Sequence, residues 1–415
     1  MQGARERGLS GSRRRAKLCA CLLIALALAV PASAAASPAP PRIPARAWIL
    51  LDAGDRARLA ASSPDRSLPM ASTTKLMTAY LALHRLPLGT RLVAPAYHPI
   101  PGESLLGLNK GERMSVRDLL YGALLPSGND AAATLATGVA GTTSAFVEEM
   151  NRAAGRLGLS NTSYANPIGL DEPGNYSSPG DLARLALDLR RRALFRRIVD
   201  TPRATLKTGE HPRTVVNHND LVGRVPWING VKTGYTLDAG YVLVASGARK
   251  GVTLLSVVMG APSIGARDQD TLALMRYGFS LYRVEAPVRP HQTLGRVRVP
   301  NGDRDLPLIA GHAVHATVRR GQRLHVAVQA PRSASAPIRR GRRLGRAVVT
   351  VDGQRVGRAP LLARYTVRVA SGESFAARAD DALPGPRAVV WALAVAVVAA
   401  IAVAIGAIVT RRRPG

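Results

Sequence analysis

The sequence predicts an α+β domain, in which a mostly antiparallel sheet packs against helices, then a small all-β domain and one membrane-spanning helix. Three observations support this order. Strand-length apolar runs at 47–52 and 230–259 enclose a block with helical periodicity. Short valine-rich runs punctuated by Gly and Pro follow residue 285. An uninterrupted apolar run fills 388–409, and 415 residues are enough for two or three domains.

The first 34 residues have the pattern of a signal peptide. Basic residues precede an apolar stretch at 18–30, and Ala32, Ser33 and Ala34 form a small-residue cleavage pattern. An uncleaved membrane anchor is the alternative, although the stretch is short for a span. Both interpretations predict that the following chain is exported. The prolines within 35–45 indicate a short stiff linker.

The α+β domain is predicted to span 46–284. The predicted strands are 47–52, 57–61, 230–236, 241–246 and 252–259, and the predicted helices are 73–84, 116–125, 130–139, 146–157 and 266–282. Two strands, a helical block, three strands and a closing helix indicate an antiparallel sheet covered by helices.

The all-β domain is predicted to span 285–372. Its valine-rich runs lie at 297–299, 314–318, 324–328, 347–351 and 362–369. Because no cluster of acids, histidines or serines accompanies them, we expect a spacer or docking module.

The C-terminal end is predicted to cross a membrane. After a linker at 373–387, the apolar run at 388–409 has the length of a bilayer span. The basic residues within 410–415 place that tail in the cytoplasm by the positive-inside rule. The main body is therefore expected outside the cell membrane, held by a single pass.

Composition excludes several classes of function. The net charge of +30 raises the hypothesis of nucleic-acid binding, but the charge is spread along the chain without an aromatic-rich motif, so no nucleic-acid partner is expected. Anionic lipid headgroups or wall polymers account for the same charge. The only cysteines, Cys19 and Cys21, lie in the leader, which excludes thiol chemistry. His211 and His218 lack acidic partners at regular spacing, so no metal, cofactor or Ser-His-Asp triad is expected.

The first of three short motifs is Ser-Thr-Thr-Lys. Ser72 begins a predicted helix and Lys75 lies one turn later on the same face. A serine hydroxyl needs a base within hydrogen-bond reach, and Lys75 can be that base only if its pKa is lowered. Alone, this motif is equally typical of a helix cap.

The second motif is Ser-Gly-Asn, which lies in the short break between two predicted helices. Ser127 offers a hydroxyl for proton relay, and Asn129 offers an amide that can hold a neighbour. Alone, Ser-Gly-Asn is a common turn.

The third motif is Lys-Thr-Gly on a predicted edge strand. Lys232 and Thr233 suit recognition of a carboxylate, and Gly234 lets a ligand approach the backbone, where an extended peptide can pair with the strand. A second Lys-Thr-Gly begins at Lys207, but its polar, proline-flanked context indicates a solvated loop, and we discard it.

Together and in this order, the motifs resemble the signatures of serine penicillin-binding proteins and serine β-lactamases. The residues around them narrow the resemblance to the low-molecular-mass D-alanyl-D-alanine carboxypeptidases. The matching segments are 69–78, 118–121, 125–132, 146–151 and 230–236. The likeness covers about 45–285 and extends more faintly into the all-β domain. Met70 and Ala71 stand where this group often has Pro-Ala.

The resemblance implies the penicillin-binding-protein transpeptidase fold and a D-Ala-D-Ala carboxypeptidase. Such an enzyme removes the terminal D-alanine from peptidoglycan pentapeptides through an acyl-enzyme on Ser72, and β-lactams inhibit it covalently. Lys75 would take the proton of Ser72, helped by Lys232, since a second cation about 6 Å away costs about 3 kcal/mol at an effective dielectric of about 20. Desolvation and the helix N-terminus would lower the pKa of Lys75 further.

The remaining roles are also implied by the resemblance. Lys232, Thr233 and Ser127 would hold the substrate carboxylate, and Ser127 would relay a proton to the leaving amine. Asn129 would orient Lys75 and the substrate amide, while the backbone amides of Ser72 and Tyr235 would form the oxyanion hole. Arg249 is a possible further cation, with a solvated hairpin arginine as the alternative.

Two other functions stay open at this stage. A serine β-lactamase needs a deacylating glutamate, and Glu172 lacks the spacing of that motif. A non-catalytic wall-binding scaffold would be indicated by loss of Ser72, Lys75 or Lys232, all of which are present. Transpeptidation or endopeptidase cleavage would use the same site.

Overall fold

The computed structural model describes residues 38–370. The predicted signal peptide at 1–34, the linker at 373–387, the helix at 388–409 and the tail at 410–415 lie outside this range. The predicted domain boundaries stay predictions.

The α+β domain contains eleven strands and eight helices. Its strands are β1 (Ala47–Asp52), β2 (Arg58–Ser62), β3 (Leu68–Pro69), β4 (Arg91–Val93), β5 (Arg113–Ser115), β6 (Tyr176–Ser177), β7 (Arg203–Leu206), β8 (Arg213–Val216), β9 (Ile228–Thr236), β10 (Gly240–Arg249) and β11 (Val252–Ala261). Its helices are α1 (Lys75–Arg85), α2 (Val116–Leu124), α3 (Asn129–Ala140), α4 (Thr143–Leu157), α5 (Pro179–Leu189), α6 (Ala193–Val199), α7 (Leu221–Arg224) and α8 (Ile264–Ser280), with a 3-10 turn (Ala71–Thr74) before α1.

The main sheet has the order β2-β1-β11-β10-β9, and all its neighbouring strands are antiparallel. Both faces are covered, which explains why β1 is a continuous apolar run. Ile49 and Leu51 pack into one core with the helices that follow β1, whereas Trp48 and Leu50 pack into a second core with α8. The order leaves β9 at the edge, where an extended peptide can reach it.

The helical block follows from local signals. Ser115 caps α2 by accepting from the Asp118 N–H, and Thr142 caps α4 in the same way. Gly158 ends α4 with a left-handed backbone at φ 66°. The predicted helices and main strands exist at nearly the predicted positions.

The region between α4 and β9 contains elements that the sequence analysis did not predict. They are α5, α6, α7, the two-residue strand β6 and the hairpin of β7 and β8. Ser178 caps α5 and Pro179 is its first residue, so the start of this helix carries a readable signal. The rest of this region has no strong apolar period, and packing on the main cores decides it.

The all-β domain is confirmed. Its strands are β12 (Tyr282–Val288), β13 (Thr293–Val297), β14 (Leu306–Ala310), β15 (Val314–Arg319), β16 (Leu324–Gln329), β17 (Arg343–Val351) and β18 (Gln354–Ala363). Five form a sheet in the order β13-β14-β18-β17-β16, and β12 pairs with β15. Neither β12 nor β14, which contains Pro307, was predicted, and the predicted run at 297–299 meets β13 only at Val297. The last strand was predicted too late, since β18 ends at Ala363.

One part of the predicted fold class is corrected. The sequence predicts a membrane-spanning helix at 388–409, but no helix within 38–370 is long and apolar enough to cross a membrane, and 388–409 lie outside the described range. The longest described helix, α8, has 17 residues against the roughly 20 of a span, and it contains Arg267 and Asp268. The fold class of the described chain is an α+β domain followed by an all-β domain, without a membrane helix.

Candidate active site

The first motif forms a buried lysine–serine pair. Ser72 lies in the 3-10 turn before α1, and Lys75 is the first residue of that helix. The Lys75 Nζ donates to the Ser72 Oγ at 2.9 Å and to the carbonyl oxygen of Ile168 at 2.6 Å. Because Lys75 is fully buried, its amine is held at the serine hydroxyl without competing water.

The second motif lies in the loop between α2 and α3. Ser127 has a left-handed backbone with φ 64°, and its Oγ is buried without a hydrogen-bond partner among the described residues. Asn129 begins α3, its backbone N–H donates to Ser104, and its Nδ2 donates to the carboxylate of Glu103 at 2.5 Å. The loop thus presents a free hydroxyl and a tethered amide.

The third motif lies on the edge strand β9. Lys232 is 1% exposed, and Thr233 is buried. A Cβ at Gly234 would lie 3.0 Å from the backbone nitrogen of Ser72 and 3.0 Å from the Cβ of Ala71. The approach of a ligand is therefore not the only reason for a glycine at this position, because the turn that contains Ser72 also requires it.

The three motifs meet in one cleft. Ser72, Ser127, Thr233, Gly234 and Tyr235 line a cavity of about 430 Å³. A second cavity of about 380 Å³ shares Ser72 and Tyr235 and contains Asn129. The structure therefore brings Ser72, Ser127, Asn129 and residues 233–235 together at two adjoining cavities, whereas Lys75 and Lys232 are buried and line neither of them.

The electrostatics of the cleft favour a neutral Lys75. Burial lowers the pKa of Lys75 well below its usual 10.5, the charge of Lys232 lowers it further, and Glu103 and Asp130 oppose the shift. Burial, rather than the charge of Lys232 on which the expectation rests, is the larger cause. Burial also lowers the pKa of Lys232 to about 7, with a contribution from Arg267.

A loop that sequence reasoning missed supplies the second partner of Lys75. The Oδ1 of Asn166 accepts from the backbone N–H groups of Ile168, Gly169 and Leu170, and this holds the Ile168 carbonyl at Lys75. Gly169 has φ 96°, and a Cβ there would lie 2.1 Å from the carbonyl oxygen of Ala71. The Asn-Pro dipeptide at 166–167 was an available turn signal.

The arginine in the cleft is Arg267 rather than Arg249. Arg267 is 5% exposed, pairs with Asp268 at 2.8 Å, and lines the cavity with Ser127 and Thr233. Arg249 is exposed at the end of β10 and lines a separate cavity beside Tyr282. Helical position alone gave no signal for Arg267, because α8 reaches the cleft only through the tertiary fold.

The discarded Lys-Thr-Gly is structural. Lys207 is exposed, and the Thr208 hydroxyl donates to the Asp118 carboxylate at 2.7 Å. Glu172 is exposed and accepts from Asn166, and it lines neither cavity beside Ser72. His218 lines the cleft, and burial and nearby cations lower its pKa.

Comparisons with known proteins agree with this geometry. Residues 34–263 match the peptidase S11 family, which is described as D-alanyl-D-alanine carboxypeptidase. The chain belongs to this family. It is a serine-type D-alanyl-D-alanine carboxypeptidase, as the resemblance predicted. Residues 282–368 match the C-terminal domain of penicillin-binding protein 5.

Relatives of this carboxypeptidase align with most of its chain. The D-alanyl-D-alanine carboxypeptidase DacC of Escherichia coli is 32% identical over 349 residues, which is 79% of this chain and 85% of the relative. DacF of Bacillus subtilis is 30% identical over 80% of this chain and 88% of its own length.

Solved structures show the same architecture. Penicillin-binding protein 5 from Haemophilus influenzae aligns with a TM-score of 0.57 and 29% identity, covering 80% of this chain and 99% of that chain. The Streptomyces K15 DD-transpeptidase aligns with a TM-score of 0.56 and 34% identity, covering 59% of this chain and all of the other. The predicted penicillin-binding-protein fold of the α+β domain is confirmed.

Proposed function

We propose that Ser72 is the nucleophile and Lys75 its general base. The carrying observation is the 2.9 Å contact between the Lys75 Nζ and the Ser72 Oγ at a fully buried lysine. A neutral Lys75 takes the hydroxyl proton while the Ser72 Oγ forms a bond to the carbonyl carbon between two terminal D-alanines. The lowered pKa of Lys75 supports this assignment.

The substrate we propose is a peptidoglycan stem peptide ending in D-Ala-D-Ala. Thr233 and Arg267, which line the cleft, would hold its free carboxylate, and the positive charge of the buried Lys232 next to Thr233 would attract it. The Ser127 hydroxyl has no hydrogen-bond partner among the described residues, so it is available to the substrate. It would relay a proton to the leaving amine. The D-alanine leaves as the C–N bond breaks, and water then hydrolyses the ester on Ser72.

The oxyanion of this step would be held by the backbone N–H groups of Ser72 and Tyr235. Close packing of Gly234 on the nitrogen of Ser72 supports the proposal, because it brings β9 and the nucleophile's turn to one side of the reacting carbonyl. The peptide would extend along the edge strand β9.

β-Lactams would acylate Ser72 and remain attached. Among the described residues that line the two cavities beside Ser72, the glutamate is Glu103, and its carboxylate is already engaged by Asn129. Slow release of the penicilloyl group therefore distinguishes this enzyme from a β-lactamase.

The experiment incubates the purified protein with a fluorescent penicillin and, separately, with a peptide ending in D-Ala-D-Ala. We expect stable labelling and D-alanine release, and Ser72→Ala should lower both by at least about a thousandfold. Ser335→Ala, an exposed serine of the all-β domain, is the matched control and should behave as wild type. Rapid turnover of penicillin would favour a β-lactamase. A folded protein without label or D-alanine release would refute the proposed roles.

We also propose that the enzyme works outside the cytoplasmic membrane, where peptidoglycan lies. The leader pattern at 1–34 supports this location. A fluorescent penicillin that does not cross membranes should label the protein in intact cells. Labelling only after lysis would contradict the location.

A further inference from the structure

A carboxylate beside the second motif has no role in the reaction described so far. The Glu103 Oε2 accepts from the Asn129 Nδ2 at 2.5 Å and from the hydroxyl of Tyr97, and the Oε1 accepts from the backbone N–H of Ile100 at 2.8 Å. Glu103 lines the cavity that also contains Ser72, so this carboxylate lies within the catalytic cleft.

These contacts determine how the amide of Asn129 is turned. An ionised carboxylate only accepts hydrogen bonds, so the Asn129 side chain must present its Nδ2 to Glu103 rather than its Oδ1. The Asn129 Oδ1 and the second N–H of the same amide then point away from Glu103. In the described structure the Lys75 amine donates to Ser72 and Ile168 and no hydrogen bond joins it to Asn129, so the Asn129 Oδ1 is the acceptor left for a contact that forms with the substrate.

The carboxylate itself is held ionised and in place. Partial burial opposes ionisation of Glu103, but hydrogen bonds from Asn129, Tyr97 and the Ile100 N–H outweigh it and lower the pKa of this carboxyl group. Burial and the neighbouring carboxylate raise the pKa of Tyr97, so its phenol stays a donor at neutral pH. A carboxylate that accepts three hydrogen bonds is a poor proton acceptor, and it holds its hydrogen-bond donors in fixed positions.

We propose that Glu103 is a positioning residue of the carboxypeptidase reaction, whose carboxylate fixes the amide of Asn129 in the single orientation that serves the substrate. The inference deepens the proposed function and depends on it. Glu103 also carries the negative charge that opposes the lowering of the Lys75 pKa. The sequence analysis considered Glu172 and not this residue.

The test begins with Glu103→Gln, which keeps the shape but lets Asn129 turn either way. We expect the second-order rate of acylation by a fluorescent penicillin, and kcat/KM for the D-Ala-D-Ala peptide, to fall by roughly tenfold to a hundredfold. Glu148→Gln, an exposed glutamate on α4, is the matched control and should change neither rate.

The pH profile separates positioning from a merely structural role. Lys75 acts when neutral, so activity rises with pH through its pKa. Removing the nearby negative charge of Glu103 lowers that pKa, because the ammonium form loses a stabilising partner. The acid limb of the acylation rate should therefore move to lower pH in Glu103→Gln, and remain in place in Glu148→Gln.

A double-mutant cycle with Asn129→Ala tests whether Glu103 acts through Asn129. We expect the double variant to lose no more activity than Asn129→Ala alone. If the activity losses of the two single variants multiply in the double variant, the proposal is overturned. Wild-type rates with an unshifted pH profile in Glu103→Gln would also overturn it. Normal acylation with slowed release of the acyl group would instead make Glu103 a deacylating base and also overturn it.

Stable labelling of the wild type keeps the two proposals distinguishable. If the wild type is not labelled, the proposed function fails. If the wild type is labelled and Glu103→Gln is equally active, only the role of Glu103 fails. A thermal unfolding transition at the wild-type temperature shows that a slow variant is folded. Tyr97→Phe removes one donor to the Glu103 carboxylate and should lower the acylation rate in the same direction by a smaller factor.

Discussion

The two domains handle charge in opposite ways. In the α+β domain several ionisable side chains are buried: Lys75, Glu112, Asp130, Asp181, Arg213, Lys232, Arg267, Asp268 and Asp270. In residues 282–370 the described structure buries no polar or charged side chain. That stretch contains eighteen arginines, no lysine and four acidic residues, so its cations remain at the surface around an apolar core.

The comparison shows which buried charges serve structure and which serve chemistry. Arg213 pairs with Glu112 at 2.6 Å, and Asp130 accepts from four backbone N–H groups, so these charges are compensated. Lys75 and Lys232 have no acidic partner within ion-pair distance among residues 38–370. Burying two amines without an acidic partner lowers the free energy of unfolding. Unfavourable burial of this kind is concentrated at functional sites.

The largest effect is expected from replacing the buried amine of the base. Lys75→Met should lower acylation by at least about a thousandfold, because Ser72 loses its proton acceptor. The same change should raise the free energy of unfolding by about 1–3 kcal/mol, since an apolar side chain replaces a desolvated amine. Penicillin labelling and denaturant unfolding measure the two effects, and a less stable variant would contradict the comparison.

The next effect is a divergence of activity and stability above neutral pH. Because Lys232 must be charged to hold the carboxylate and its pKa in the free enzyme is about 7, kcat/KM should fall by about tenfold per pH unit above that value. A penicillin ester, which lacks the carboxylate, should escape this alkaline decline.

Stability should move the other way over the same pH range. The pKa of Lys232 is lower in the folded than in the unfolded protein, so between about 7 and 10.5 the unfolded chain binds more protons. The free energy of unfolding therefore rises with pH in this window. Urea unfolding at several pH values checks the sign, and a decline across the window would show that Lys232 is not buried as a free amine.

The smallest effect on activity is expected from the core of the all-β domain. Leu361→Ala should cost about 2–5 kcal/mol of stability, because Leu361 is fully buried, while kcat/KM per folded molecule stays unchanged. Val356→Ala, at a side chain 44% exposed, is the matched control and should cost far less. A drop in kcat/KM for folded Leu361→Ala would show that this domain supports the active site.

The sequence by itself determined the parts that depend on neighbours along the chain. Ser72 and Lys75 are one helical turn apart, and Lys232, Thr233 and Gly234 follow one another on a strand, so spacing and period were enough to predict them. The burial of both faces of β1 also agrees with its sequence, since residues 47–51 are all apolar and successive side chains point to opposite faces. The order of the three motifs carried the family resemblance.

Only the tertiary structure decided the contacts that tune those residues. The Ile168 carbonyl reaches Lys75 from 93 positions away, and Arg267 enters the cleft on α8. The backbone N–H groups of residues 106–108 donate to the Asp130 carboxylate, which holds this loop against α3. Glu103 lies just before the loop and is therefore brought to Asn129. These contacts have no period along the chain, because desolvation and long-range packing create them only when the cleft closes around Ser72.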